Sequence, residues 1–145
     1  MEIYNHQKEN VSATPEEVFS FINDDANLKE VFGIIDKIEY ITAEKRAEGA
    51  QFLTTLDVKG RTYRFRSEFT EYAVDRRIIV RSRFSRGDVM TQFTVVPNNG
   101  GVDVSIRSEL RNAKTAAKVL ATAMKPVIKV IMNRNMDKLV VELEK

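Results

Sequence analysis

The sequence predicts a single α+β domain in which a curved antiparallel sheet wraps around a long C-terminal helix. Apolar and polar side chains alternate with the period of a β-strand over most of the chain from Ile34 to Leu110. The segment from Ala113 to Glu144 instead lacks glycine and is apolar over most of a helical circumference. A chain of 145 residues is the size of one domain, so we assign residues 1–145 to a single unit.

Composition excludes several classes of protein. The sequence has no cysteine, which rules out disulfide frameworks, thiolate zinc sites and thiol nucleophiles. Its net charge is only +2, so we expect no nucleic-acid partner. The start Met1-Glu2 does not have the basic-then-apolar order of a signal peptide, and no apolar run approaches the ~20 residues that span a bilayer. We therefore expect a cytoplasmic protein without stable membrane insertion.

The N-terminal part of the chain predicts one strand and two short helices. Residues 2–11 are a weakly patterned first strand. Thr14 can cap the helix that follows, Pro15 fits its first position, and Glu17 completes a capping box. A second short helix is predicted over residues 25–31.

Six further strands are predicted after these helices, each joined to the next by a short turn. The clearest strand begins at Arg61 and ends at Thr70. Its alternation places one set of side chains on the buried face, namely Tyr63, Phe65, Ser67 and Phe69. The sheet therefore has about seven strands, in the order β-α-α-β6-α.

The last helix is predicted to lie under the sheet. Its polar residues form one narrow stripe, and almost every other residue from Val119 to Met132 is apolar. A helix that is apolar over most of its circumference needs a large cover, and the curved sheet can provide it. We expect Asn112 to cap the helix and Pro126 to kink it.

The order of elements and four local signals resemble the START-related, birch-pollen-allergen-like (SRPBCC) superfamily, which has the helix-grip fold. The signals are the opening from Ala13 to Phe19, Gly49 between early strands, the turn Asn99-Gly100-Gly101, and the helical end from Val140 to Lys145. The resemblance covers essentially the whole chain and is greatest to the polyketide cyclase/dehydrase and lipid-transport branch. In that superfamily a cavity between sheet and helix holds lipids, polyketides or other apolar molecules. Some members are cyclases or hydrolases, and others activate a heat-shock chaperone.

The resemblance implies that this chain binds a small hydrophobic molecule, such as a lipid, a fatty acid or a polyketide-like compound. We expect apolar side chains to form the cavity wall, with Phe32 near an entrance. The other candidate wall residues are Phe52, Tyr63, Phe65, Phe69, Phe93, Met124, Ile128 and Met132. The alternative at each position is that the side chain simply fills the core. Candidate polar groups are Ser67 and, if Ile3 and Val11 point inward, Gln7 and Glu9.

Patterns typical of catalysis are weak in this sequence. The only histidine, His6, lies on a polar strand and is expected at the surface. No cluster of metal ligands and no phosphate-binding glycine loop is present, so we expect neither a metal nor a cofactor. Binding without catalysis is therefore favoured.

Two other functions stay open. One is a cyclase or aromatase-like enzyme that uses Tyr63 or Glu9 as an acid–base group. The other is an interaction module that binds through a basic surface. This surface is either the lysine stripe of the last helix, formed by Lys114, Lys118, Lys125 and Lys129, or a basic hairpin, formed by Arg76, Arg77, Arg81, Arg83 and Arg86. The absence of tryptophan, which relatives often carry, weakens a chaperone-activator role. A homodimer also stays open.

Overall fold

The computed structural model describes residues 1–145 and has seven strands and three helices. The predicted order β-α-α-β6-α is confirmed. In chain order the elements are β1 (Glu2–Val11), α1 (Pro15–Ile22), α2 (Asp25–Val31), β2 (Ile35–Tyr40), β3 (Gln51–Val58), β4 (Arg61–Ala73), β5 (Arg77–Phe84), β6 (Gly87–Asn98), β7 (Gly101–Arg111) and α3 (Thr115–Leu143).

The strands form one antiparallel sheet in the order β1-β7-β6-β5-β4-β3-β2. From β2 to β7 each strand pairs with the next along the chain, and β1 pairs with β7. The edges of the sheet are therefore β1 and β2. This curved seven-stranded sheet with a long C-terminal helix is the predicted helix-grip fold.

Helix α1 begins as its sequence predicts. The Thr14 side chain accepts a hydrogen bond from the backbone N–H of Glu17 at 3.1 Å, and the Glu17 carboxylate accepts one from the backbone N–H of Thr14 at 3.3 Å. This reciprocal pair is a capping box, and it fixes the start of the helix. The helix then buries Val18, Phe19 and Ile22 against the core.

The first strand contains an irregularity that its sequence pattern does not reveal. Pairing with β7 shifts register between Lys8 and Val11, and Asn10 has a positive φ of 56°. This bulge resets the side-chain alternation. As a result Tyr4 and Val11, which have opposite parity along the strand, are both buried.

Helix α3 is continuous from Thr115 to Leu143, and Pro126 lies inside it. The prediction that Asn112 caps the helix is wrong. The N-cap is Lys114, whose side chain makes no capping bond, while Asn112 takes a left-handed conformation with φ of 52° at the end of β7.

The two halves of α3 differ in burial. The helix buries Met136, Leu139 and Leu143, all in its C-terminal half, where it packs with α1, α2 and β1. No residue from Thr115 to Val127 is buried. The expectation that the sheet covers most of the helix is therefore wrong for the first half, and the tight core lies only at the end of the sheet next to α1 and α2.

Candidate functional site

A cavity of about 420 Å³ lies between the inner face of the sheet and α3. Of its 29 lining residues, 22 are hydrophobic, so the wall suits an apolar molecule. All seven strands contribute to the wall, together with α1, α2 and α3. Strand alternation produces this apolar surface, because it places every second side chain on the inner face of the sheet.

Most of the predicted wall residues line this cavity. The aromatic members are Phe32, Phe52, Phe65, Phe69 and Phe93. The helix contributes Ile128 and Met132, and Ser67 adds a hydroxyl. The structure therefore brings these eight predicted side chains to one place, while their part in ligand binding stays a prediction.

The structure places Tyr63 and Met124 outside the cavity wall, so both assignments need correction. Tyr63 shares a face with Phe65, but it lies at the start of β4, where no other element covers the strand, and it is 48% exposed. Met124 lies one turn before Ile128, in the half of α3 that buries nothing, and it is 41% exposed. Each of these side chains is on the predicted face of its strand or helix, but it lies beyond the part of that face that other elements cover.

Gln7 and Glu9 also lie outside the cavity, because both side chains are exposed on the outer face of β1. The prediction assumed uninterrupted alternation between Ile3 and Val11. Ile3 does line the cavity, but register shifts between Glu2 and Tyr4 and between Lys8 and Val11 break that alternation at both ends of the strand. The inner face of β1 is instead occupied by Tyr4, His6 and Lys8.

Hydroxyl groups form a polar belt across the apolar wall. Ser67 on β4 and Ser82 on β5 have their oxygens 3.0 Å apart, and Thr91 on β6 and Ser108 on β7 repeat this arrangement at 3.0 Å. All four line the cavity. Within each pair one hydroxyl donates to the other, so one O–H per pair stays free to donate to a ligand.

Asn135 adds a polar group from the helix side. It lines the cavity, and its Nδ2 is buried without a hydrogen-bond partner. A buried unpaired donor costs roughly 1–3 kcal/mol, so a ligand acceptor would find a favourable partner here. This residue is not among those predicted from the sequence. Its spacing of three from Met132 and seven from Ile128, which places all three on one helix face, was the available signal.

The only charged group in the wall is Arg46, and its charge is already compensated. Its guanidinium forms an ion pair with Asp25 and donates to the carbonyl of Asn23 at 2.9 Å. Tyr40 donates to the same Asp25 carboxylate at 2.8 Å. Burial, with this hydrogen bond second, raises the pKa of Tyr40 above its usual value. The cluster therefore offers no free cation to a ligand.

Tyr4 connects β1 to α3 at another part of the wall. Its hydroxyl donates to the Asn133 side chain at 2.7 Å, and the ring stacks on His6. Burial, with a smaller contribution from Asp137, raises the pKa of Tyr4 to about 12. The phenol is therefore protonated throughout the physiological range.

A second hollow, of about 410 Å³, lies beside β1 and the turn between β6 and β7. Eight of its ten lining residues are polar or glycine, and they come mainly from residues 10–14 and 98–101. Its one carboxylate, Glu17, is engaged in the capping box. Nothing in this hollow resembles a binding site for an apolar molecule.

A family profile decides the identity of the chain. The profile described as polyketide cyclase/dehydrase and lipid transport matches residues 6–144. The chain belongs to this family. No curated protein sequence matches it significantly. No helix is both long enough and apolar enough to cross a bilayer.

Solved structures with the same fold cover nearly the whole of this chain. A protein of unknown function from Staphylococcus aureus, SA2116, aligns with a TM-score of 0.72 at 15% identity, covering 98% of this chain and 93% of its own. The ZhuI aromatase/cyclase from Streptomyces sp. R1128 aligns at 0.68 and 14% identity, covering 97% and 92%. The di-domain aromatase/cyclase StfQ from the steffimycin biosynthetic pathway aligns at 0.74 and 12% identity, covering 97% of this chain and 50% of its own. At identities this low, the alignments show a shared fold alone.

Proposed function

We propose that this family member binds a small, uncharged, largely apolar molecule in the cavity between the sheet and α3. The observation that carries the proposal is the composition of the wall, which is mostly hydrophobic and is crossed by a neutral belt of hydroxyl groups. Apolar burial supplies affinity at about 0.8 kcal/mol per methylene, and the polar groups orient the ligand.

The charges in the wall favour a neutral ligand over a fatty acid. An ionised carboxylate in this cavity would lose its hydration and would need a cationic partner. Arg46 already pairs with Asp25, and no lysine or histidine lines the cavity. A ketone, alcohol, ester or polyketide-like carbonyl compound instead matches the donors of Asn135 and the hydroxyl belt.

An enzymatic role of the cyclase or aromatase kind is the second candidate, because structures of that description share the fold. The acid–base groups predicted for it, Tyr63 and Glu9, are exposed outside the cavity. The ionisable groups in the wall are Tyr4, Tyr40 and Arg46. Both tyrosines have raised pKa values, so neither supplies a base near neutral pH. Binding without catalysis therefore has the stronger support. The cytoplasmic location of the protein stays a prediction.

Binding of Nile red, a neutral apolar dye, tests the proposal with a matched pair of variants. Phe65→Arg places a charge in the wall and should weaken dye binding at least tenfold. Tyr63→Arg makes the same kind of change two residues away on the same strand face but outside the cavity, so binding should stay within about twofold. Circular dichroism checks that both variants fold. Equal losses in the two variants, or dye binding that survives Phe65→Arg, would contradict the cavity as the binding site.

A further inference from the structure

The N-terminal half of α3 carries an apolar stripe on the side that faces away from the protein. The stripe consists of Ala116, Val119, Ala123, Val127 and Val130, and we call it the outer stripe. Its three valines are 65%, 47% and 59% exposed, and both alanines are exposed. Leu120, which borders it, is 64% exposed. Five exposed apolar positions on one helix face form a patch of the kind that marks an interaction surface.

The fold itself cannot cover the outer stripe. The residues of α3 that face the cavity or the core include Ile128, Met132, Met136 and Leu139. With about 100° per residue, these side chains lie roughly opposite the outer stripe around the helix axis. A ligand in the cavity would therefore contact the other side of the helix, and the stripe needs a partner from outside.

The spacing of the stripe indicates which partner fits. Its positions are separated by three, four, four and three residues, so the pattern reads the same in both directions about Ala123. Two antiparallel copies centred there would set Ala116 against Val130, Val119 against Val127, and Ala123 against itself. An isologous contact requires this kind of self-complementarity, and alanine at the centre allows two helices to approach closely. We propose that a second copy of this chain covers the outer stripe, in an antiparallel pair of α3 helices whose two-fold axis passes beside Ala123.

Charge argues against an anionic membrane as the partner. Helices that lie on such membranes place basic side chains beside the apolar face, where they reach the headgroups. Here Lys118, Lys125 and Lys129 lie more than about 100° around the helix from the centre of the outer stripe. Between Ala116 and Val130 the stripe contains no charged residue, as the centre of a protein–protein contact requires.

The contact is short, so the dimer should be weak. The outer stripe spans 15 positions, about 22 Å of helix, and a single helix pair lies at the small end of specific interfaces. We expect a dissociation constant in the micromolar range, with monomer dominating at nanomolar concentration. The proposal does not depend on the proposed function, because it concerns the face of α3 opposite the cavity.

Cysteine cross-linking tests both the contact and its direction, since the chain has no cysteine of its own. In Ala123→Cys the two sulfurs would meet at the two-fold axis, within the Cα separation that a disulfide allows. Mild oxidation should give a covalent dimer. Ala116→Cys is the matched control, an exposed alanine on the same stripe, and its two copies would lie about 21 Å apart in the antiparallel pair. Equal cross-linking of both variants, or of neither, would overturn the proposal.

Analytical ultracentrifugation then measures the association itself. Val127→Lys should weaken dimerisation at least tenfold, whereas Val74→Lys, which changes a still more exposed valine in the β4–β5 turn, should leave it unchanged. Three results would overturn the proposal. They are a wild-type monomer at about 1 mM, equal dimerisation in both variants, and a monomer that instead binds phosphatidylserine vesicles through Val127. The thermal unfolding of both variants at nanomolar concentration, where each is monomeric, reports any loss of fold separately.

Discussion

The single histidine of the chain lies on the inner face of β1, where its ring stacks on Tyr4 with centroids 6.1 Å apart. Its Nε2 is buried and has no hydrogen-bond partner. Burial lowers the pKa of His6, and repulsion from Lys8 lowers it further, while Asp137 raises it. The expectation that His6 is a surface residue therefore holds only in part, because alternation in β1 turns this polar side chain inward and leaves it half-buried.

His6 should titrate below its ordinary pKa of 6.5. Because the folded state favours the neutral ring, its contribution to stability is present above pH 6.5 and is lost as the pH falls below that value. The only imidazole resonance in the NMR spectrum reports the midpoint directly. Lys8→Met should raise the midpoint, and Asp137→Asn should lower it. A wild-type midpoint at or above 6.5 would show that the ring is solvated.

Individual wall residues could be predicted where a strand is regular and covered. Phe65, Ser67 and Phe69 follow from alternation in β4, because the sheet has one buried face. The same rule predicts the correct face for Tyr63, but it wrongly predicts that the side chain is buried. Whether a side chain is covered depends on how far another element extends over it, and residues distant in sequence decide that. Asn135 was missed because it lies among other polar residues, including Asn133, Arg134 and Asp137, and only its spacing from Met132 and Ile128 distinguishes it.

At the scale of elements, the start of β7 depends on close contact with β1. A Cβ on Gly101 would lie 2.5 Å from the backbone oxygen of Val11. Gly100 has open space around it but a positive φ of 84°. The two neighbouring glycines are therefore needed for different reasons. Gly101 allows the backbones of β1 and β7 to approach closely, and Gly100 adopts a positive φ.

Gly101→Ala should destabilise the protein more than Gly100→Ala. The first change forces β1 and β7 apart, at a cost of roughly 2–3 kcal/mol. The second strains one turn residue and should cost about 1 kcal/mol. Urea denaturation of both variants gives the two free energies of unfolding. The reverse order, or equal costs, would show that the β1–β7 contact can relax.

Helices α1 and α2 could be predicted almost to the residue, because their caps are local. Thr14, Pro15 and Glu17 determine the start of α1 through contacts three residues apart. For α3 the sequence pattern predicts the existence and length of the helix but not its environment. The apolar residues of α3 lie mainly on one face in its N-terminal half and on the opposite face in its C-terminal half. A pattern of hydrophobicity states only that a face needs a cover, and it does not distinguish a sheet from a second chain.

The whole molecule combines a packed core at one end with an apolar cavity between sheet and helix. Val18, Val102, Val104 and Met136 are completely buried, whereas the first half of α3 buries nothing. A ligand in an apolar cavity makes dispersion contacts with the wall around it. A ligand that binds only the folded state should therefore raise the stability of the whole domain.

A neutral ligand should stabilise the protein more than the corresponding acid does. A long-chain methyl ketone at about 100 times its dissociation constant adds about 2.7 kcal/mol, which should raise the melting temperature by roughly 5–10 °C. Tetradecanoic acid of similar length should raise it much less at pH 8, because its carboxylate would enter a cavity whose only cation, Arg46, already pairs with Asp25. Asn135→Leu should reduce the effect of the ketone by about 1 kcal/mol, while the effect of a plain alkane should not decrease. If calorimetry shows that the acid raises the melting temperature as much as the ketone or more, a cation other than Arg46 must contact the ligand in the cavity.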